Sequence, residues 1–236
     1  MNVAIFGANG GIGHAVLKAY LAQDQVDNIY AFSRTDVDVS DDRLHCIQVD
    51  VLSEQSLSKA MLSVTDIRFD RIFIALGTLH DGQCMPEKQL TDLQLVNLES
   101  VFAINTFAPA LVVKAIKPYL NKATSNVIAI LSARVGSISD NRLGGWYAYR
   151  ASKAALNMFI RTAAIEFSRS FKRTTIIGLH PGTVDTNLSK PFQGRLRPGQ
   201  LFTPEYAAAK LVEVMEQVTA EQSGSCLAYD GSTIPA

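Results

Sequence analysis

Short apolar runs alternate with longer stretches of helical period along almost the whole chain, and nothing else in the sequence limits the fold as strongly. Residues 2–6, 28–33, 44–49, 70–75, 126–131, 174–179 and 226–229 read as strands. They carry little polar alternation, so both faces of their sheet are expected to be covered. Residues 11–23, 53–64, 93–120 and 146–171 carry the helical period, and Thr203-Pro204-Glu205 opens one more helix. Ser53 and Thr203 suit helix caps, Pro204 suits a first helical position, and Ala207, Leu211, Val214 and Val218 share one face. Strands separated by helices pair in parallel through right-handed crossovers. The expectation is an α/β, doubly wound sheet of about seven strands with helices on both faces, with residues 1–236 as one domain. Residues 181–202 show no clear period and hold Pro191, Pro198 and three glycines. That stretch is either a lid or an unrecognised helix.

Composition removes several alternatives. Of 236 residues 47% are apolar and only 19% charged, which excludes disorder. The 22 basic residues balance 22 acidic ones, so no general attraction draws the chain to nucleic acid or to an anionic membrane. Cys46, Cys84 and Cys226 and the four histidines lack metal-ligand spacing, and no metal site is expected. Odd, scattered cysteines and an N-terminus without a basic n-region suggest a reduced, cytoplasmic setting. No apolar run is expected to reach membrane-helix length.

The first strand runs into Gly7-Ala8-Asn9-Gly10-Gly11-Ile12-Gly13 and then a helix. In doubly wound folds this turn holds a dinucleotide pyrophosphate, because helix N-terminal amides point outward and glycine lets the backbone approach. The spacing fits both G-x-x-x-G-x-G and G-x-x-G-x-x-G. Ser33 and Arg34 end the second strand, where an acidic residue would select a free ribose 2′-hydroxyl. A guanidinium there can grip a 2′-phosphate, which favours NADP(H) over NAD(H). Asp36 and Asp38 either screen Arg34 or face solvent. Asp50 and Val51 follow the third strand and can flank adenine.

Tyr149 and Lys153 stand one helical turn apart on one face. An ammonium beside a phenol favours phenolate, so the lysine is expected to lower the tyrosine pKa and make it a proton donor and acceptor. Tyr147 has no such partner, because residue 151 is alanine. Ser132 ends the fifth strand, where its hydroxyl can bond a carbonyl oxygen. Asn105 lies four residues before Pro109, which has no amide to give it. A kink, or a break into two helices, is expected there, with the Asn105 carbonyl free for a water that reaches Lys153.

Together these features resemble the short-chain dehydrogenase/reductase family, in its compact C-factor-like and carbonyl-reductase-like members. The resemblance spans nearly the whole chain and rests on Gly7/Gly11/Gly13, Asn105, Ser132, Tyr149 with Lys153, and His180-Pro181-Gly182-Thr183-Val184-Asp185-Thr186. It implies a Rossmann fold and oxidoreduction of a small-molecule carbonyl/alcohol pair. Asn105, Ser132, Tyr149 and Lys153 are then catalytic, and Gly77, Pro181, Gly182, Val184 and Thr186 join the cofactor contacts. Three positions depart from the family pattern: Phe6 stands for threonine, Ala75-Leu76-Gly77 for an asparagine-rich segment, and Gly10 for a basic residue. The larger epimerase subgroup shares the second glycine spacing but has a longer C-terminal region. Residues 79–90, 135–146 and 183–202 are candidate substrate walls, 183–202 being the expected substrate loop. They offer Leu79, Met85, Trp146, Leu188, Phe192 and Leu201 beside His80, Arg134 and Arg142. A nucleotide-binding sensor with little turnover is the alternative reading. The family usually assembles as homodimers or homotetramers, and Ala155, Met158, Phe159, Thr162 and Ala163 form an apolar flank suited to a partner helix.

Overall fold

The computed structural model describes residues 1–80 and 85–236. Cys84 and the stretch 81–84 of the first candidate wall lie outside the described residues. The strands are β1 (Asn2–Phe6), β2 (Asn28–Ser33), β3 (Leu44–Gln48), β4 (Arg71–Ile74), β5 (Asn126–Leu131), β6 (Thr174–His180), β7 (Thr183–Val184), β8 (Leu201–Phe202), β9 (Cys226–Ala228) and β10 (Thr233–Ile234). The principal helices are α1 (Gly11–Leu21), α2 (Glu54–Leu62), α3 (Leu95–Phe102), α4 (Ala108–Ile116), α5 (Tyr147–Ser170) and α6 (Pro204–Gln217). One eight-stranded sheet runs β10-β9-β6-β5-β4-β1-β2-β3. Seven of its strands are parallel, and β10 adds a short antiparallel edge.

Alternate residues of β1 explain its unbroken apolar run. Ala4 and Phe6 join a core with α2, α4 and α5, while Val3 and Ile5 join a second core with α1 and α6. Edge strand β3 departs from this, because His45 and Cys46 are exposed. Ser53 and Thr203 cap their helices as their types suggest: each side chain accepts an amide three residues on, from Ser56 and Tyr206.

Residues 93–120 do not form one regular helix. A π-helical turn at Ala103–Phe107 separates α3 from α4, with the amide of Ala108 bonded to the carbonyl of Ala103. Pro109 withholds the amide that Asn105 needs in an α-helix, and the extra residue in the turn accommodates the mismatch. The run Leu95–Tyr119 is nonetheless 25 residues long and contains an 18-residue stretch of mean hydropathy 1.5, enough by length and composition to cross a membrane. This corrects the expectation that no run would reach that length. Val112, Val113 and Ile116 of this run sit in the core beneath the sheet.

Segment 181–202 is mostly neither helix nor free loop. The parallel pair β7–β8 brings its ends together through Thr183 with Leu201 and Val184 with Phe202, and a 3-10 helix at Lys190–Arg195 folds between them.

Candidate active site

The carboxyl ends of β1, β4, β5 and β6 open into a cleft of about 730 Å³. Its lining includes Asn9, Gly10, Gly11, Ile12 and Gly13 from the glycine turn and Gly77 after β4. Ser132, Tyr149, Lys153, Pro181, Gly182, Val184 and Thr186 complete the chemically important wall. Gly7 lies just beneath: its φ is +80°, and a Cβ on it would stand 2.6 Å from the Ala75 carbonyl oxygen. On Gly13 a Cβ would fall 2.2 Å from the Gly7 carbonyl oxygen, so only glycine lets α1 start this close to β1. Phe6, in the place of threonine, stacks on Phe32 with ring centroids 4.3 Å apart, and the Phe32 carbonyl accepts the Gly7 amide at 2.8 Å. Ring stacking thereby supports the turn from below.

The α1 N-terminus has no side-chain cap. Its first amides therefore stay available to an anion, and the glycines leave room for one. The cradle fits a dinucleotide pyrophosphate. Ser33, Arg34, Asp50 and Val51 are not part of the cleft wall. Ser33 is buried and donates its hydroxyl to the Thr35 carbonyl, while Arg34 and Asp50 are exposed at the strand ends. The Asn9 side chain donates to the Thr35 hydroxyl at 2.7 Å and ties that turn to the glycine turn. Asp36 and Asp38 face solvent.

Asn105 acts through its side chain, which the sequence reading had not considered. Its Oδ1 accepts the Thr78 amide at 2.7 Å, and its Nδ2 donates to the Thr78 carbonyl at 2.9 Å and to Ser152 Oγ at 3.1 Å. This latch ties the loop after β4 to α5 beside Lys153. The 3-10 turn Arg134–Gly136 presses on the same helix, since a Cβ on Gly136 would lie 2.9 Å from Lys153 backbone and side-chain atoms.

Lys153 is buried, and its Nζ donates to the Leu131 carbonyl at 2.8 Å. Burial lowers its pKa to about 8. Burial also pushes the Tyr149 phenol up to about 12. The expected lowering of the phenol pKa is therefore reversed. Loss of solvent penalises phenolate, and the ammonium that would offset it is itself desolvated and bound to a carbonyl. The phenol is held protonated at neutral pH.

Ser132 is buried, with its hydroxyl donating to Asn157 Oδ1 at 2.6 Å. Cys226 lies against it, its thiol pKa pushed up to about 11 by burial. His180 ends β6 in the cleft, and burial, with help from Arg134, lowers its pKa to about 4. Its Nδ1 is, among the described residues, the only buried side-chain nitrogen or oxygen without a hydrogen-bond partner.

Aromatic side chains line part of the cleft. Trp146 meets Tyr149 edge-on at 6.1 Å and Phe192 at 5.0 Å, and Phe192 meets His80 at 5.7 Å. Leu79, Leu188 and Arg134 also face the cleft. Met85, Arg142 and Leu201, expected as wall residues, are not in its lining, and neither is His80, which only backs Phe192.

Glu87 was missed by the sequence reading. It is 4% exposed, its carbonyl accepts the Trp146 amide at 2.5 Å, and its carboxylate accepts the Ala148 amide at 3.2 Å. Trp146 occupies the α5 N-cap with a left-handed φ of 53° and no side-chain cap of its own. Glu87 supplies the missing cap from outside. The signal in the sequence is a helix opening on Gly-Gly-Trp with no Ser, Thr, Asp or Asn to cap it.

A sheet of this order, with its glycine turn and tyrosine helix on one cleft, defines a doubly wound dinucleotide-binding protein. The short chain dehydrogenase family model matches residues 1–196, and the chain belongs to that family. It is 31% identical over 237 residues to 1-hydroxy-2-glutathionyl-2-methyl-3-butene dehydrogenase of Rhodococcus sp. (strain AD45), covering 98% of this chain and 97% of the relative. It is 28% identical to benzil reductase ((S)-benzoin forming) of Bacillus subtilis (strain 168), covering 91% and 93%. Among solved structures, NADPH-bound carbonyl reductase from chicken fatty liver superposes with a TM-score of 0.86 at 24% identity, covering 100% of this chain and 98% of that one. The family and its relatives make the chain a carbonyl/alcohol oxidoreductase.

Proposed function

We propose that the protein is an NADP(H)-dependent reductase of small, partly apolar carbonyl compounds, working reversibly on the corresponding alcohols. The observation that carries this reading is one cleft that holds Ser132, Tyr149 and Lys153 opposite an uncapped helix opening with a glycine turn. NADPH, when bound, supplies the hydride for the carbonyl carbon. The amides of residues 11–13 hold its pyrophosphate, Thr186 and Val184 border the nicotinamide end, and Arg34 selects the 2′-phosphate. Asp50 and Val51 flank adenine.

Tyr149, protonated at neutral pH, gives its proton to the carbonyl oxygen as negative charge develops there. Ser132 steadies the same oxygen by hydrogen bonding. Lys153 holds ribose hydroxyls and provides positive charge behind the phenol. Asn105 keeps the loop after β4 and the lysine helix in register. The aromatic wall of Trp146 and Phe192, with segment 183–202 as lid, favours substrates carrying an apolar group. The two sequence relatives, a dehydrogenase of a hydroxy compound and a benzil reductase, agree with this chemistry. Exposed Leu95, Val96, Phe107 and Met158 on the helices around Asn105 and Tyr149 support a homodimer or homotetramer, whereas Ala163 of the expected flank belongs to the core.

The test is NADPH oxidation against a panel of aldehydes, ketones and quinones. Turnover is expected, and Tyr149→Phe is expected to lose at least about a hundredfold in kcat while still binding NADPH. Tight NADPH binding without turnover across the panel would favour the sensor reading instead.

A further inference from the structure

A serine hydroxyl has one proton to give. In this structure Ser132 gives it to Asn157 Oδ1 at 2.6 Å, and a proton placed there does not reach a substrate oxygen. Asn157 lies on α5 one turn beyond Lys153 and two turns beyond Tyr149, and it is not part of the cleft wall. Its side chain meets the cleft through its hydrogen bond with Ser132. The other neighbour of that hydroxyl is the Cys226 thiol, which burial keeps neutral. A Cβ placed on Gly178 would touch both Cys226 Sγ and Ser132 Cβ at 3.4 Å, so the space around the serine is closed on that side. Of the Asn157 amide and the Cys226 thiol beside Ser132, only the amide can either accept from the hydroxyl or donate to it.

We propose that Asn157 is the positioning residue for Ser132: with a carbonyl substrate in the cleft its Nδ2 donates to Ser132 Oγ, which turns the hydroxyl proton onto the substrate oxygen. This rests on the reductase reading above. The two ends of a carboxamide are nearly equal in shape, so a half-turn about χ2 exchanges acceptor for donor at the same place. Each good donor aimed at developing negative charge is worth about 10²–10³ in rate. A hydroxyl that donates to an accepting amide forfeits most of that. An aspartate at the same position can only accept when ionised, and a leucine can do neither.

The experiment is a double-mutant cycle on kcat with NADPH and a ketone reduced by the wild type. Ser132→Ala is expected to lose about a hundredfold. Asn157→Asp is expected to lose nearly as much, because the carboxylate keeps the serine proton. Asn157→Leu is expected to lose about tenfold, because the hydroxyl proton is free but unguided. In the Ser132→Ala background both Asn157 changes are expected to cost less than about threefold. Melting temperature and NADPH affinity, measured by fluorescence titration, check that each variant is folded and loaded. Full persistence of the Asn157→Asp loss without the serine would assign the effect to charge alone and overturn the proposal. Equal losses for Asp and Leu would overturn it too, since hydrogen-bond direction would then be irrelevant. Wild-type inactivity on every carbonyl would remove the reductase reading and the proposal together. A Ser132-dependent wild type with no coupling would remove the proposal alone.

Discussion

Replacing Glu87 with alanine tests whether the opening turn of α5 is held from outside the helix. The Ala148 amide is 1% exposed as a residue and has the Glu87 carboxylate as its acceptor. Removing that acceptor leaves a buried donor unpaired, at a cost of about 1–3 kcal/mol. Loss of a helix cap alone typically costs about 1 kcal/mol, and the two descriptions overlap rather than add. The expected destabilisation is about 2 kcal/mol. For a chain of this size each kcal/mol moves Tm by roughly 2–4 °C, so a fall of about 4–8 °C is expected in a thermal melt. Glu87→Gln keeps an oxygen acceptor and should stay within about 0.5 kcal/mol of wild type. Trp146 keeps its bond to the main-chain carbonyl of residue 87 in both variants, so its left-handed conformation is not the cause of any difference between them. Equal melting temperatures for the two variants would refute the capping argument. Because Tyr149 follows Ala148 directly, kcat of the alanine variant should fall with little change in NADPH affinity.

Lys153→Arg tests the pH dependence. Burial lowers the lysine to about 8, so its charge is present below that pH and lost above it, while the phenol stays protonated up to about 12. Reductase activity should fall as pH rises through about 8, and the arginine variant, which does not deprotonate, should lose that descent; an unmoved descent would exonerate the lysine. Arg34→Ala should raise the Kd for NADPH about tenfold or more and leave that for NADH unchanged, measured by fluorescence titration. Gly13→Ala should abolish NADPH binding and lower Tm, because the new Cβ meets the Gly7 carbonyl oxygen at 2.2 Å and neither backbone can yield cheaply.

Sequence reasoning reached what local chemistry determines. Ser53, Thr203 and Pro204 mark helix starts because their acceptor or missing amide acts within one turn. The apolar strands gave the parallel sheet, and the spacing of Tyr149 and Lys153 placed both on the cleft. Features that depend on distant partners were not legible. The direction of the Tyr149 shift depends on how completely the fold removes water, which spacing does not encode. Glu87 caps a helix 61 residues away, and Asn105 latches a loop 27 residues away. Exposure of β3 follows from its place at the sheet edge, which is a matter of strand order. Pro109 announced an irregularity, but whether it became a kink, a break or a π-turn depended on packing around it.

The two-rung ladder joining residues 183–184 to 201–202 works as a fixed stem. Because its rungs already hold the ends together, doubling the intervening stretch would add only about 0.6 kcal/mol of closure entropy. On the proposed reading, descendants of this chain can thus trade one set of residues between 187 and 200 for another, and with it one clientele of molecules for another, while Thr186 and the proton-transfer apparatus below stay as they are.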